Sequence, residues 1–151
     1  MTHQYVQRPN ELAFLKRNMN QPVIKVVLGV RRAGKTTLFK LFKDHLLQQG
    51  VIKQQIISVN FDDFHYRDLT DPHKLHQHIM SKLLPNQMNY LFLDELQQVN
   101  ECEKIVDSLL YRDDVDIYIA SSNEYFINNP TFSSLINRCI IQNMLPLSFA
   151  D

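Results

Sequence analysis

Residues 23–41 read VIKVVLGVRRAGKTTLFKL, and no other stretch limits the fold as tightly. Residues 23–28 form an apolar run rich in β-branched side chains, the composition of a buried strand. Gly29, Val30, Arg31, Arg32, Ala33, Gly34, Lys35 and Thr36 follow, and apolar residues then recur at helical spacing from Leu38. Strand, GxxxxGK[ST], helix is the order in which this pattern becomes a phosphate-binding loop. Gly29 and Gly34 let the backbone curl so that successive N–H groups face one anion. The helix opening near Gly34 adds unpaired donors and the positive end of its dipole. Lys35 brings a full charge to the β- and γ-phosphates, and the Thr36 hydroxyl is placed to ligate Mg²⁺. Residues 29–36, with Thr37 after them, are the candidate nucleotide-binding set. Arg31 and Arg32, at variable positions of the pattern, are further candidates to touch phosphate or a partner.

A cradle alone hydrolyses nothing, and residues 90–95, YLFLDE, supply what it lacks. Four apolar residues suit a central strand, and carboxylates emerge at its C-terminal edge, where ligands of open α/β sheets bind. Asp94 is the candidate to hold the Mg²⁺ shell, usually through water, because Mg²⁺ dehydrates reluctantly. Glu95 is the candidate base for the attacking water.

The rest of the chain reads as alternating helices and strands. Residues 10–18 form an amphipathic helix with Asn10 as its cap. The helix after the loop runs to about Gln49, with Gly50 as its stop. Strands are expected at 55–61, 88–93, 115–120 and 138–144. Asp71-Pro72 caps a helix to Leu84. Asn100 with Glu103 resembles a capping box opening a helix to Tyr111, and a short helix is expected around 132–137. No repeat or linker interrupts this order, so the expectation is one α/β domain over 1–151 with a mainly parallel sheet.

At 151 residues and 44% apolar composition the chain can bury a real core. No run is long enough to span a membrane and the N-terminus lacks a signal-peptide plan, so the expected location is cytoplasmic, with no membrane partner. Cys102 and Cys139 sit in no metal-ligand spacing and read as free thiols. His73, His76 and His78 lie on a solvated polar face rather than at a zinc site. Net charge is zero, yet residues 1–60 carry ten Lys/Arg against two acids, while residues 61–151 carry six against fourteen. A parallel sheet that interleaves the two halves would leave no basic patch, and overall neutrality argues against a dedicated nucleic-acid binder.

The blocks IKVVLGVRRAGKTTL, SVNFDD, YLFLDELQQV, DVDIYIASSN and MLPLSF resemble those of AAA-type ATPases, members of the AAA+ superfamily. They are most like prokaryotic ATPases whose ATPase domain precedes a C-terminal domain of unknown function. The resemblance implies a three-layer P-loop NTPase fold with five strands in the order 5-1-4-3-2, ATP and Mg²⁺ as ligands, and ATP hydrolysis driving a conformational switch. Residues 29–36 and 90–95 match its Walker A and Walker B motifs. Asn123, or Ser122 before it, matches the polar sensor near the γ-phosphate, although Ala120-Ser121 replaces the usual Thr-Gly. Asn60 looks like the residue that restrains the catalytic Glu, or else satisfies its own turn with Asp62. Arg138 matches a candidate arginine finger serving a neighbouring subunit of a homo-oligomer, with Asn137 at a position that is usually Gly.

Such ATPases continue into a helical lid, whereas this sequence stops at Asp151 after the fifth strand. The expectation is therefore weak Mg·ATP binding and slow turnover. A non-hydrolysing nucleotide-binding regulatory module is the alternative. A P-loop kinase and a nucleic-acid binder stand behind it.

Overall fold

Successive side chains of a strand point to opposite faces, so a strand covered on both sides must be apolar at odd and even positions alike. The sequences IKVVL and NYLFLD meet that condition apart from Lys25, Asn89 and Asp94, and both strands are buried along their whole length. The computed structural model describes residues 9–31, 33–122, 126, 128–130 and 132–145. Its elements are α1 (Pro9–Arg17), β1 (Ile24–Leu28), α2 (Lys35–Gln48), β2 (Ile56–Asn60), α3 (Pro72–Lys82), β3 (Asn89–Asp94), α4 (Cys102–Leu110), β4 (Val115–Ser121) and β5 (Cys139–Asn143). Short 3-10 helices join several of them.

The five strands form one sheet ordered β2-β3-β4-β1-β5, with every neighbouring pair parallel. This is the expected 5-1-4-3-2 order. Parity divides the core in two. Ile24, Val26, Leu28, Leu91 and Leu93 pack with Leu75 and Ile79 of α3 and with Ile105, Val106 and Leu109 of α4. Val27, Tyr90, Phe92, Tyr118 and Ala120 pack on the other face with Phe14 and Leu15 of α1 and Leu38, Phe39 and Phe42 of α2. The result is a three-layer α/β/α domain whose strands all deliver their C-terminal ends to one edge.

Several element ends follow directly from local chemistry. After α2, Gly50 adopts φ 96°, Gly50 N–H bonds Leu47 O and Val51 N–H bonds Leu46 O. That paired pattern satisfies the last carbonyls of the helix. Asp71 accepts from the N–H groups of His73 and Lys74, with Pro72 opening α3. The Asn100 capping box does not form. Val99 and Cys102 are buried on either side, which turns Asn100 outward, and the helix begins after Glu101 in a left-handed conformation. Glu101 O then accepts from Lys104 N–H. Asn10 likewise lies inside the first turn, because α1 already includes Pro9. The expected helix at 132–137 is a 3-10 helix, Ser133–Arg138.

The basic and acidic halves are interleaved in space. Lys25 pairs with Asp116, Arg31 with Asp62 and Lys35 with Glu95, each across the two halves. The first pair is fully buried at the edge opposite the phosphate loop. Lys25 Nζ also donates to Gln21 O at 2.7 Å, while Asp116 Oδ2 accepts from Asn20 N–H and from the Tyr118 hydroxyl at 2.6 Å. Burial holds the Lys25 pKa below its ordinary value despite the attraction of Asp116. Burial, with the Asp116 charge beside it, pushes that of Tyr118 up. Tyr118→Phe removes one donor to a buried carboxylate and is expected to lower stability by about 1.5–3 kcal/mol. Urea unfolding monitored by circular dichroism checks this.

Both cysteines are free thiols. Burial pushes the Cys102 pKa up to about 12 and that of Cys139 up to about 11. Thiols held protonated in this way are poor nucleophiles.

Candidate functional site

The C-terminal ends of β1, β3 and β4 meet beneath the loop at residues 29–34. Gly29 N–H donates to Ser121 O, and Met144 N–H donates to Leu28 O at 2.7 Å. The loop therefore sits on β4 and β5 before it turns into α2. A Cβ on Gly29 would lie 3.1 Å from both Ala33 Cβ and the Met144 carbonyl oxygen, closer than ordinary packing allows. Gly34 precedes α2 with φ 98°, a conformation that L side chains rarely adopt. The two glycines thus act differently: Gly29 permits a close approach and Gly34 permits a left-handed turn. The first N–H groups of α2 have no partner within the helix and point toward the loop.

Lys35 is 5% exposed, and its ammonium folds back over the loop. Nζ donates to Gly29 O at 2.7 Å and Val30 O at 3.1 Å, and lies 3.6 Å from Glu95 Oε1. Beside it the Thr36 hydroxyl donates to Asp94 Oδ2 at 2.6 Å. Parity explains this second contact. Tyr90 and Phe92 face α2, so Asp94, at the same parity on β3, emerges against the first turn of that helix.

Glu95 leaves the strand with φ 64° and ψ 44°. Its N–H is fixed by Ala120 O at 2.7 Å. This left-handed step turns the side chain out of the strand's alternation and toward β4. Oε2 accepts from Gln97 Nε2 at 2.5 Å, Ser122 Oγ at 2.8 Å and Ser122 N–H at 3.2 Å.

The two adjacent carboxylates titrate in opposite directions. Burial holds the Asp94 carboxyl above its ordinary range, reinforced by Glu95 and opposed by the Thr36 hydrogen bond. Burial also acts to raise Glu95, but the donors on Gln97 and Ser122, with Lys35 nearby, outweigh it and hold that group below its ordinary range. Neighbouring carboxyls set apart in this way are suited to different tasks. Lys43, behind Asp94, bonds Ser58 Oγ at 2.5 Å and is held below its ordinary range by burial.

The expected site residues do not all converge. Gly29, Gly34, Lys35, Thr36, Asp94 and Glu95 converge, with Ala33 buried and Thr37 half-buried alongside. Val30 is exposed, and Arg31 turns to the rim, where its guanidinium meets both Asp62 oxygens at 3.2 and 3.4 Å. Arg32 and Asn123 lie outside the described residues. Arg138 stands just before β5, at the opposite edge of the sheet from its own loop. There it lies 4.0 Å from Asp107 and over the Tyr111 ring. Asn60 is level with Asp94 in the β2–β3 register, but its Oδ1 accepts from Asp62 N–H at 3.0 Å. The group holding Glu95 is instead Gln97, together with Ser122.

Gln97 and Met144 carry no expectation from the sequence. Gln97 had the only usable signal, a polar side chain two residues after a strand-ending carboxylate.

The chain's likeness to known proteins agrees with this geometry. A family model described as an AAA domain matches residues 21–151. A protein of Haemophilus influenzae, described as uncharacterized, is 33% identical over 152 residues, which is 100% of this chain and 38% of that protein. Another, of Methanocaldococcus jannaschii, is 30% identical over 129 residues, covering 85% of this chain and 27% of the relative. This chain thus spans well under half the length of these relatives.

Among solved structures, the Aeropyrum pernix ORC1 protein in complex with DNA aligns with a TM-score of 0.66 at 15% identity. That match covers 97% of this chain and 47% of the other. PCH-2 of C. elegans aligns with a TM-score of 0.58 at 20% identity, covering 91% and 40%. At these identities the likeness establishes the shared fold. Among the described residues no helix is long and apolar enough to cross a membrane.

Proposed function

The chain belongs to the AAA domain family, and from that premise we propose that it binds Mg·ATP at residues 29–37 and hydrolyses the β–γ phosphoanhydride. One observation carries the reading. The buried Lys35 ammonium, the Thr36–Asp94 pair and the Glu95 carboxylate meet at the C-terminal edge of the sheet, around a loop whose helix points its N-terminus at the same place. Cation, metal-ligand and base chemistry are gathered there.

The Thr36 hydroxyl and the Asp94 carboxylate are hard oxygen donors, which suits Mg²⁺. Bound there, the ion would neutralise charge developing on the β- and γ-phosphate oxygens. Lys35 would exchange its loop carbonyls for phosphate oxygens, stronger acceptors for an ammonium group. Glu95 would take a proton from water as the water oxygen bonds to the γ-phosphorus. The bridging P–O bond breaks, and its electron pair leaves on the β-phosphate of ADP.

Asn123 is proposed as the polar sensor, on the resemblance and on the contact of its neighbour Ser122 with Glu95. Arg138 stands before β5, away from its own loop, and on the resemblance is proposed as a finger for the site of a neighbouring copy. Adenine as the base and the switch driven by hydrolysis rest on the resemblance, and a cytoplasmic location on the composition of the sequence.

Thr36→Ala tests the metal assignment. The Mg²⁺ concentration giving half-maximal phosphate release is expected to rise about tenfold or more, with nucleotide binding in EDTA little changed. An unchanged Mg²⁺ requirement would remove Thr36 from the site. Phosphate release that persists undiminished in EDTA would remove the metal from the mechanism.

A further inference from the structure

Gln97 lies in the 3-10 turn Leu96–Gln98, and the two ends of its amide have different partners. Nε2 donates to Glu95 Oε2 at 2.5 Å, and Oε1 accepts from the Ser121 hydroxyl at 2.8 Å. The amide is thereby set in one sense, because flipping it would bring its carbonyl oxygen against a carboxylate oxygen. With the two donors of Ser122, Glu95 Oε2 accepts three hydrogen bonds. Oε1 faces Lys35 Nζ at 3.6 Å. One carboxylate oxygen is therefore occupied by the end of β4 and the turn after β3, and the other is turned to the phosphate loop.

We infer that Gln97 is a positioning residue for hydrolysis: by tying Glu95 Oε2 to the end of β4, it presents Glu95 Oε1 to the water that attacks the γ-phosphate. This inference rests on the hydrolytic reading of the site. The restraint comes from the turn immediately after β3, not from β2, where Asn60 uses its oxygen on its own turn. Ser121 anchors the far end of the bridge, so a shift of β4 relative to β3 would reach Glu95 through Gln97. Glu95 carries the proton and Gln97 holds its orientation, so losing Gln97 should weaken turnover without weakening the grip on nucleotide.

Two measurements test this. In the nucleotide-free protein, ¹H–¹⁵N spectra should show one Gln97 side-chain amide proton well downfield of the free-glutamine position, returning toward it in Glu95→Ala. In steady-state assays, Gln97→Leu should lower kcat about tenfold or more while KM for ATP stays within about twofold. Gln97→Glu, which keeps the shape but sets a like charge against Glu95, should do the same and guards against misfolding of the leucine variant. In a Glu95→Gln background, Gln97→Leu should cause no further loss. A Gln97 amide at the free position in both proteins overturns the inference, as does full kcat in Gln97→Leu or a rise in KM alone. A displaced amide in a chain that binds ATP but releases no phosphate overturns the hydrolytic reading while leaving the Gln97–Glu95 bridge established.

Discussion

Glu95→Gln is expected to bind Mg·ATP as the unmodified chain does and to lose about 10²–10⁴ of its turnover. The substitution keeps the shape, and the amide oxygen can still accept from Ser122. It removes the charge beside Lys35 and the ability to take a proton from water. Loss of the anion also frees the ammonium from its 3.6 Å partner, so nucleotide affinity should hold or rise slightly. Calorimetry gives the affinity and a phosphate-release assay gives the rate. Full turnover in this variant would exclude Glu95 as the base.

Lys35→Ala is expected to do the opposite and fail at binding. The ammonium is buried against Gly29 O, Val30 O and Glu95, so truncation leaves two carbonyls and a carboxylate facing incoming phosphates with no cation between them. Losing one partner of a buried, hydrogen-bonded charge pair costs about 2–5 kcal/mol, so Mg·ATP affinity should fall about 30-fold or more. Titration calorimetry against ATP, with circular dichroism to show that the fold persists, reads this directly. An affinity within a few-fold of the unmodified chain would mean that Lys35 does not contact phosphate.

The parts of this site that were legible in the sequence are those set by local spacing. A strand, two glycines at fixed separation and a helix determine where Lys35 and Thr36 stand, whatever surrounds them. Asp94 and Glu95 were legible because an apolar strand of one parity must release them at the ligand edge. What stayed hidden depends on register between distant segments. Gln97 meets Ser121 and Ser122 across 24 and 25 residues, through the pairing of β3 with β4. Lys25 and Asp116 are 91 residues apart and read separately as exceptions in apolar strands.

At Asn60 the local turn prevails over the restraint that the resemblance implies: it lies level with Asp94, but the Asp62 amide two residues on competes for its oxygen and wins on proximity. The Asn100 cap failed for a related reason: burial of Val99 and Cys102, which a capping pattern does not register, decided which way the turn faced.

The rim of the site has its own logic. Asp62 receives Arg31 from the phosphate loop and Gln98 Nε2, at 2.6 Å, from the turn after β3. Consecutive glutamines thus face different partners, Gln97 toward the Glu95 carboxylate and Gln98 toward the loop's outer contact. Exposed pairs such as Arg31–Asp62 contribute little to stability.

The most direct test of the central claim is single-turnover phosphate release from Mg·ATP by the unmodified chain beside Glu95→Gln, at matched nucleotide occupancy. Release by the unmodified chain and about 10²–10⁴ less by the variant is the expected result. Equal release by the two, or bound ATP that neither protein cleaves, would contradict it.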